Sequence, residues 1–254
     1  TEHEKWISTL IAPGSSLGGA RPKASVLAND NSLWIAKFPA HNDSINVSGW
    51  EYATMMMARD CGLNTPECKL EKLSRYGSTF LVKRFDRDGE KRIHFSSAMT
   101  LLGKNDGASF EDGSSYLDIV AFILGYSSNP KQDLQELWTR IVFSIAVSNT
   151  DDHLRNHGFI LTNNGWRLSP VYDLNPNPNG YGLSLNITED DNSLDFSCAL
   201  EVAEYFRLNK VESGKIIDKV ISVVKNWKKY AKFAGISKAE QDFMQGAFVL
   251  VNNA

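Results

Sequence analysis

The sequence lacks several features that would place it in a specialised class of protein. No stretch approaches 18 consecutive apolar residues and no signal-peptide pattern opens the chain, so neither a membrane span nor a secretory leader is predicted. With 27 basic and 30 acidic residues the net charge is −3, and no basic block stands out. This composition gives no support to wholesale nucleic-acid binding. The sequence also lacks internal repeats and low-complexity tracts.

Cysteine is scarce as well. The three cysteines, Cys61, Cys68 and Cys198, are odd in number and lack CxxC spacing. This pattern is typical of reduced thiols in a cytosolic protein and argues against a disulfide framework or a zinc knuckle, so we expect a cytoplasmic protein. The first residue is Thr1 and not a methionine, which is typical of a processed chain or an excised fragment. Whether an upstream domain is missing is left open.

The chain has enough apolar residues for a full core, since 42% of its 254 residues are hydrophobic. Its first part reads as strands and turns, with strands predicted at Leu33–Ala40 and Ser78–Arg87. Between them, apolar residues at helical spacing from Trp50 to Cys61 predict one amphipathic helix, which Gly62 is expected to end. We expect Met55–Met57 within this helix to be ordinary core residues.

The second part reads as mainly helical. Helices are predicted at residues 114–125 and 134–147, and a single long helix near 212–230. Two short strands around Asn163-Asn164-Gly165 predict a hairpin, and Ser237 to Glu240 forms a capping-box pattern for a last helix. We therefore predict a small mixed β/α lobe, residues 1–90, followed by a helical lobe, residues 91–254. The seam between such lobes is a usual place for a ligand.

A glycine-rich stretch, Gly14–Lys23 (GSSLGGARPK), is the first of four polar features. Glycines let the backbone approach a phosphate closely, and successive N–H groups can cradle it. Lys23 and Arg21 add positive charge. The stretch matches neither the GxxxxGK[ST] nor the GxGxxG spacing, so a plain turn remains an alternative.

Lys37 is the second feature, because it lies inside the apolar strand Trp34–Phe38. A strand lysine usually faces water, but it can also point into a cleft and hold phosphates. Glu51 follows in the first turn of the predicted helix. A strand lysine paired with a helix glutamate is how protein kinases orient ATP phosphates, whereas the plain alternative for Glu51 is stabilisation of the helix N-terminus.

The third and fourth features follow the helix that ends near residue 147. Asp151 and Asn156 reproduce the D-x4-N spacing of the kinase catalytic loop, in which the aspartate accepts the hydroxyl proton and the asparagine holds magnesium. The preceding HR of that pattern is replaced by Asn149-Thr150. Arg155 can add charge beside a phosphate. Asp173 follows the predicted hairpin, where its carboxylate can serve as a second oxygen ligand for Mg²⁺.

A metal-hydrolase reading competes for the same stretch. His153 and His157 are spaced i, i+4, so on a helix they can ligate zinc or manganese with Asp151 nearby. The spacing lacks the glutamate of HExxH, however, and Asn156-His-Gly reads as a chain leaving for a strand. This makes His157 a packed structural residue and His153 a residue that orients the loop.

Five motifs, in this order, make the sequence resemble the HipA family of bacterial toxin serine/threonine kinases. They are SLGGARPK (16–23), IAKFP (35–39), LVKRFDR (81–87), NTDDHLRNHGF (149–159) and LSPVYDL (168–174). The resemblance implies an α+β, two-lobed protein-kinase-like fold that uses ATP and Mg²⁺.

The resemblance also implies a role for each matching residue. Asp151 would be the catalytic base, Asn156 and Asp173 the magnesium ligands, and Lys37 the phosphate-binding lysine with Glu51 as its partner. The strand Leu81–Phe85, including Lys83, would be the hinge that meets adenine. The glycine-rich loop would contact ATP through Ser16, Gly18, Gly19 and Lys23. Ser16, or as second choice Ser15, matches the family's autophosphorylated serine, whose phosphate would compete with ATP for Lys37.

Partners are likewise implied by the resemblance alone. Known members phosphorylate an aminoacyl-tRNA synthetase and are restrained by a helix-turn-helix antitoxin, HipB-like, which links them indirectly to operator DNA. Full-length relatives carry an additional N-terminal subdomain, which here is expected to be missing or encoded as a separate protein. Asp152 departs from the family pattern, and its charge is expected to raise the pKa of one carboxyl beside the base. A non-catalytic module that binds nucleotide or antitoxin remains the main alternative.

Overall fold

The structure is a computed structural model of the chain and describes residues 21–89 and 91–253. The predictions for Ser15, Ser16, Gly18 and Gly19 lie outside the described residues. No helix in the described ranges has both the length and the apolar character that a membrane crossing requires.

The first part of the chain forms a four-stranded antiparallel sheet in the order β1-β2-β4-β3. Its strands are β1 (Lys23–Leu27), β2 (Leu33–Lys37), β3 (Cys68–Ser74) and β4 (Gly77–Lys83). The predicted strands are therefore both present, but each ends earlier than expected, at Lys37 and Lys83. Alternating residues of the sheet build a small core, which contains Ala24, Trp34, Ala36, Phe38 and Leu81.

Helix α1 (Val47–Cys61) packs on β4 and on the C-terminal helices. Asn46 caps its start by accepting a hydrogen bond from the Gly49 N–H, and Gly62 ends it at φ 94°, a left-handed conformation that favours glycine. Because the helix begins at Val47, Glu51 lies in its second turn and not in the first. A plain N-terminal charge role for Glu51 is therefore weakened, since the macrodipole effect falls off after the first turn.

The middle of the chain joins three helices to a three-stranded sheet with the order β7-β8-β9. After the short pair β5 (Arg87–Asp88) and β6 (Lys91–Arg92) come β7 (Phe95–Ser97), α2 (Ala98–Leu101), α3 (Tyr116–Tyr126), α4 (Pro130–Val147), β8 (Gly158–Thr162) and β9 (Gly165–Leu168). The predicted hairpin is confirmed, with Thr162 opposite Gly165. Helix α4 starts earlier than expected because Asn129 caps it and Pro130 fits the first helical position.

The C-terminal part is helical. It contains α5 (Phe196–Glu201), α6 (Lys210–Val224), α7 (Trp227–Phe233), α8 (Lys238–Met244) and α9 (Val249–Asn253). The prediction of one helix over 212–230 is wrong. The Asn226 side chain donates to the Ser222 carbonyl at 2.8 Å, while the Asn226 N–H bonds Val223 instead, which tightens the turn and separates α6 from α7. The capping box from Ser237 to Glu240 is confirmed.

One large core unites α1, α3, α4 and the C-terminal helices. At its C-terminal end, Trp227 stacks on Phe248 with ring centroids 4.4 Å apart, and Trp50 of α1 packs against both rings. Through Trp50 this core fixes α1, and therefore Glu51, relative to the helical part of the chain. The lobe boundary near residue 90 remains a prediction.

Candidate active site

Lys37 lies at the end of β2 and is the centre of a buried ion-pair cluster. Its Nζ lies 2.5 Å from Glu51 Oε1 and 2.9 Å from Asp173 Oδ1, so it joins the sheet, α1 and the segment after β9. Only 12% of the Lys37 side chain is exposed, which excludes the water-facing alternative. Burial alone would lower the pKa of Lys37, but the carboxylates of Glu51 and Asp173 outweigh burial and raise it. Lys37 is therefore a fixed ammonium at neutral pH.

Asp173 adopts a left-handed backbone conformation, with φ 60°. For a residue other than glycine this conformation is uncommon and concentrates at functional sites. Its side chain is 45% exposed, so one oxygen meets Lys37 while the carboxylate stays open to the cavity. Burial raises the pKa of Asp173, but the Lys37 ammonium and then the Lys23 charge outweigh burial, and the net pKa is lowered. Asp173 is therefore an ionised carboxylate at neutral pH.

The stretch after α4 forms a tight loop that presents Asp151 and Asn156. Ser148 leaves the helix in a left-handed conformation, and Asp151 is exposed. The Asn156 Nδ2 donates to the Asp151 carbonyl at 2.8 Å, and the Asn156 N–H donates to the His153 carbonyl at 2.8 Å. Because the amide nitrogen is hydrogen-bonded within the loop, the Asn156 Oδ1 is left to bind a cation or to accept a hydrogen bond from a ligand in the cavity.

The inner side of this loop is fixed by Asp152. This residue is 3% exposed, and its Oδ2 accepts hydrogen bonds from Tyr116 Oη of α3 at 2.7 Å and Ser144 Oγ of α4 at 3.1 Å. Its other oxygen lies 3.0 Å from Nε2 of the buried His157. Asp152 and His157 directly follow Asp151 and Asn156, so this contact braces the loop from behind.

The expectation that Asp152 raises a carboxyl pKa beside the base is wrong for Asp152 itself. Burial raises its pKa, but His157, Tyr116 and Ser144 stabilise the carboxylate and the net pKa is lowered. The charge of Asp152 points into the core, away from the exposed Asp151. His157 is the packed, structural histidine that the sequence predicts.

Lys37, Glu51, Asn156 and Asp173 meet at a cavity of about 410 Å³. Charged and polar side chains make up more than half of its lining residues, and the others are apolar or aromatic. The lining residues are Lys23, Ile35, Lys37, Glu51, Met55, Phe80, Val82, Lys83, Arg84, Phe85, Asp86, Phe95, His153, Arg155, Asn156, Tyr172 and Asp173. A cavity of this volume, with apolar and aromatic side chains beside polar groups that can orient a ligand, is typical of a small-molecule site.

Two lysines lie next to each other in the wall of the cavity. Lys23 lies opposite Lys37 in the β1–β2 ladder, and both line the cavity. Burial, and next the Lys37 ammonium, lower the pKa of Lys23. Two lysines beside two carboxylates match what a phosphate chain with a bound cation requires.

The hinge residues are placed differently from one another. Lys83 and Phe85 line the cavity, whereas the Leu81 side chain lies in the small core of the sheet. Leu81 also pairs with β2 on one side and β3 on the other, so its backbone is not open to a ligand. There Phe85 joins Phe95 and Tyr172 in an aromatic wall, with centroids 5.8 Å and 6.0 Å from the Phe85 ring.

The metal-hydrolase reading finds no support in the described ranges. His153 and His157 lie in turns and not on a helix, and His157 faces Asp152 in the core while His153 lines the cavity. No group of three His, Cys, Asp or Glu in the described ranges is placed to hold a metal. The oxygen atoms of Asn156 and Asp173 instead fit Mg²⁺, which takes few protein ligands and shares phosphate oxygens.

Comparison with known proteins agrees with this geometry. Residues 15–227 match the HipA-like C-terminal domain family. The chain belongs to the HipA-like C-terminal domain family. Among curated relatives of this family, a Haemophilus influenzae protein named "Putative kinase" is 29% identical over 63% of this chain and 52% of its own length. The serine/threonine-protein kinase toxin HipA of Shewanella oneidensis is 29% identical over 64% of this chain and 43% of its own length.

The HipA-like fold is also seen in a solved structure. The chain resembles a protein of the Shewanella oneidensis MR-1 complex of HipA, HipB and operator DNA, with a TM-score of 0.77 and 18% identity over 98% of this chain and 69% of the other. The mixed sheet-and-helix architecture is therefore a kinase-like α+β fold. The chain spans about half the length of the curated relatives it matches.

Proposed function

We propose that this chain is the kinase domain of a HipA-like serine/threonine protein kinase, which transfers the γ-phosphate of ATP to a protein hydroxyl. The observation that carries the proposal is the position of Lys37, 2.5 Å from Glu51 and 2.9 Å from Asp173, in a cavity that Asn156 also lines. These are the parts that phosphoryl transfer needs, since it depends on positioning and charge stabilisation.

Each part has a chemical task in this proposal. Lys37, held by Glu51, binds the phosphates of ATP. The aromatic wall around Phe85 would lie against the adenine ring. Asn156 and Asp173 would hold Mg²⁺, which neutralises charge on the phosphates when it is bound. Asp151 accepts the proton of the acceptor hydroxyl as the new oxygen–phosphorus bond forms, the bond to the β-phosphate oxygen breaks and ADP leaves.

The test is transfer of radiolabelled γ-phosphate, measured beside ATP binding. Asp151→Ala should abolish phosphorylation and keep ATP binding, because Asp151 is exposed and does not line the cavity. If Asp151→Ala keeps its transfer activity, the base is another residue. If the wild-type chain binds Mg·ATP and transfers nothing, it is a non-catalytic binding module.

The acceptor proposed by family resemblance is an aminoacyl-tRNA synthetase, in a cytoplasmic toxin–antitoxin pair. Support for a HipB-like antitoxin, and through it operator DNA, comes from the fold shared with the Shewanella complex. A separate protein supplying an N-terminal subdomain is compatible with the partial coverage of relatives. A phosphoproteomic comparison of host cells producing the wild-type chain or Asp151→Ala would name the acceptor. If no aminoacyl-tRNA synthetase differs in phosphorylation between the two, this acceptor is rejected.

Autophosphorylation at Ser16, or otherwise Ser15, is part of the same proposal. A phosphate there would add about −1.5 to −2 charges at neutral pH and compete with ATP for Lys37. Intact-mass measurement after incubation with ATP, followed by peptide mapping, tests it. A phosphate found only at other positions would refute this assignment.

A further inference from the structure

A buried ion pair on α4 lies outside the cavity around Lys37. Arg140 and Glu136 are one helical turn apart, and Arg140 Nε and Nη2 lie 3.1 Å and 2.9 Å from Glu136 Oε1. Only 4% of the Arg140 side chain and 16% of the Glu136 side chain are exposed. Neither residue lines the cavity, so the pair is not placed to contact ATP there. Each of the two side chains instead binds the backbone of another segment.

Arg140 binds the segment that leads to Asp173. Its Nη2 donates to the Ser169 carbonyl at 2.5 Å, four residues before Asp173. Ser169 is fully buried, and its N–H donates to the Gly158 carbonyl at 2.8 Å. Asp173 has a left-handed backbone with φ 60°, a conformation that persists in a residue with a side chain only where the surrounding structure holds it. The bond from Arg140 is one of the contacts that hold this segment.

Glu136 binds the turn that follows α1. The Asn64 N–H donates to Glu136 Oε1 at 3.1 Å, three residues after α1 ends. The carbonyl of the same residue accepts a hydrogen bond from the Val171 N–H at 2.8 Å. The turn after α1 is therefore joined directly to the segment before Asp173, and both are bound to the ion pair on α4.

These hydrogen bonds close a ring around Lys37. Its ammonium meets Glu51, and α1 leads from Glu51 to the turn that Glu136 binds. The same ammonium meets Asp173, and Arg140 binds the segment before Asp173. Both carboxylates lie within 2.9 Å of one Nζ, so a shift of either segment would break a contact. The ion pair on α4 therefore supports the spacing of the two carboxylates from outside the cavity.

We propose that Arg140 and Glu136 are positioning residues, which hold the Asp173 carboxylate where it binds Mg²⁺ together with ATP. This inference rests on the proposed kinase function, because it gives a support to the proposed magnesium ligand. Replacing a group that orients a metal ligand typically lowers metal affinity about 10–100-fold. Arginine suits this task because its planar guanidinium bonds Glu136 and Ser169 at once, whereas the ammonium of lysine lacks this fixed fork of donors.

Two measurements on Arg140→Met test the positioning role. The first is the gain in ATP affinity that Mg²⁺ provides, from calorimetry with and without the ion. This gain should fall about tenfold, while the affinity for ATP alone stays within about twofold because Lys37 and Glu51 are unchanged. The second is hydrogen–deuterium exchange of the chain without ligand. The amides of residues 171–173 should exchange about tenfold faster than in the wild-type chain.

A double variant separates positioning from stability. Arg140→Met leaves Glu136 without its cation, whereas Arg140→Met/Glu136→Met replaces the whole pair by apolar side chains, which is often tolerated. The double variant should therefore be more stable than Arg140→Met in urea unfolding. It still lacks the bonds to Ser169 and Asn64, so its Mg²⁺ gain should stay as low. Arg140→Lys, which keeps the charge, should recover part of the gain.

Arg167→Met is the matched control. Arg167 also pairs with an acid of α4, since its Nη2 lies 3.0 Å from Asp133 Oδ1, and it bonds Gln132 at 2.8 Å. This variant removes a partly buried ion pair on the same helix and spares the bonds to Ser169 and Asn64. Its Mg²⁺ gain should stay within about twofold of the wild-type value.

Four results would overturn the positioning role. They are a Mg²⁺ gain that recovers with stability in the double variant, an equal loss of the gain in Arg167→Met, an unchanged gain in Arg140→Met, and unchanged exchange at residues 171–173. If Arg140→Met does not fold, Arg140→Lys and Arg167→Lys carry the same comparison. If the wild-type chain gains nothing from Mg²⁺, the kinase proposal fails, and exchange alone decides whether the ion pair holds this segment.

Discussion

Replacing Asp152 is expected to damage both stability and the geometry of the catalytic loop. The Asp152→Ala variant leaves Tyr116 Oη, Ser144 Oγ and His157 Nε2 facing a buried gap, because all three lie within 3.1 Å of the lost carboxylate. Removing one member of a buried charged network typically costs about 3–5 kcal/mol of unfolding free energy. Asp152→Asn keeps the volume but loses the charge, so we expect a smaller loss of about 1–3 kcal/mol.

Urea unfolding followed by tryptophan fluorescence measures these losses. Asp218→Ala, at an exposed position on α6, is the control and should change the unfolding free energy by less than about 0.5 kcal/mol. A loss for Asp152→Ala no larger than that of the control would refute the bracing role. So would an Asp152→Asn variant that is less stable than Asp152→Ala.

The pH dependence of the same experiment has a definite sign. The pKa of Asp152 is lower in the folded chain than its ordinary value, so its contribution is fully present above the unfolded pKa, about 3.9. It is lost as the pH falls through the folded pKa. The difference between wild type and Asp152→Asn should therefore be constant near neutral pH and shrink below about pH 4. A difference that grows on acidification would contradict the lowered pKa.

Three other substitutions test separate parts of the structure. Phe248→Ala removes a buried ring stacked 4.4 Å from Trp227 and should lower the unfolding free energy by about 3–5 kcal/mol in urea unfolding; a loss below about 1 kcal/mol would contradict the packing. Gly180→Val places a side chain where a Cβ lies 2.2 Å from Thr150 Cγ2, so phosphoryl transfer should fall more than ATP affinity; unchanged transfer would show that the loop yields freely. Lys37→Met should weaken ATP binding in calorimetry far more than Lys37→Arg, and equal effects would show that the charge at this position is not what binds.

Local patterns were sufficient to predict the pairing of Lys37 with Glu51 and the loop that carries Asp151 and Asn156. The apolar strand around Lys37 and the helical spacing of α1 are short-range signals, and in the structure Lys37 of β2 meets Glu51 of α1. The D-x4-N spacing likewise predicts one loop that carries Asp151 and Asn156, and in the structure the Asn156 amide donates to the Asp151 carbonyl. That Asp173 meets Lys37 rests on the order of the motifs, since 136 residues separate the two.

Features that depend on distant segments were not predicted. The sequence places Asp151 and Asp152 side by side with equal charge, and only the donors on α3 and α4 turn Asp152 into the core. The helix is interrupted before Trp227 because the Asn226 side chain, and not its backbone N–H, donates to the Ser222 carbonyl. The periodicity of apolar residues carries no information on this choice of donor. The contact between the segments around Phe110 and Ser184 is also hidden in the sequence, because about 70 residues separate them.

Calorimetric titration with ATP, in the presence and absence of Mg²⁺, tests the central claim most directly. That claim is that Lys37, Glu51, Asn156 and Asp173 form one site for Mg·ATP. Mg²⁺ should tighten ATP binding to the wild-type chain, and Asp173→Asn should lose most of this gain while retaining its fold by circular dichroism. No ATP binding to the wild-type chain, or the same gain from Mg²⁺ in Asp173→Asn, would contradict the claim.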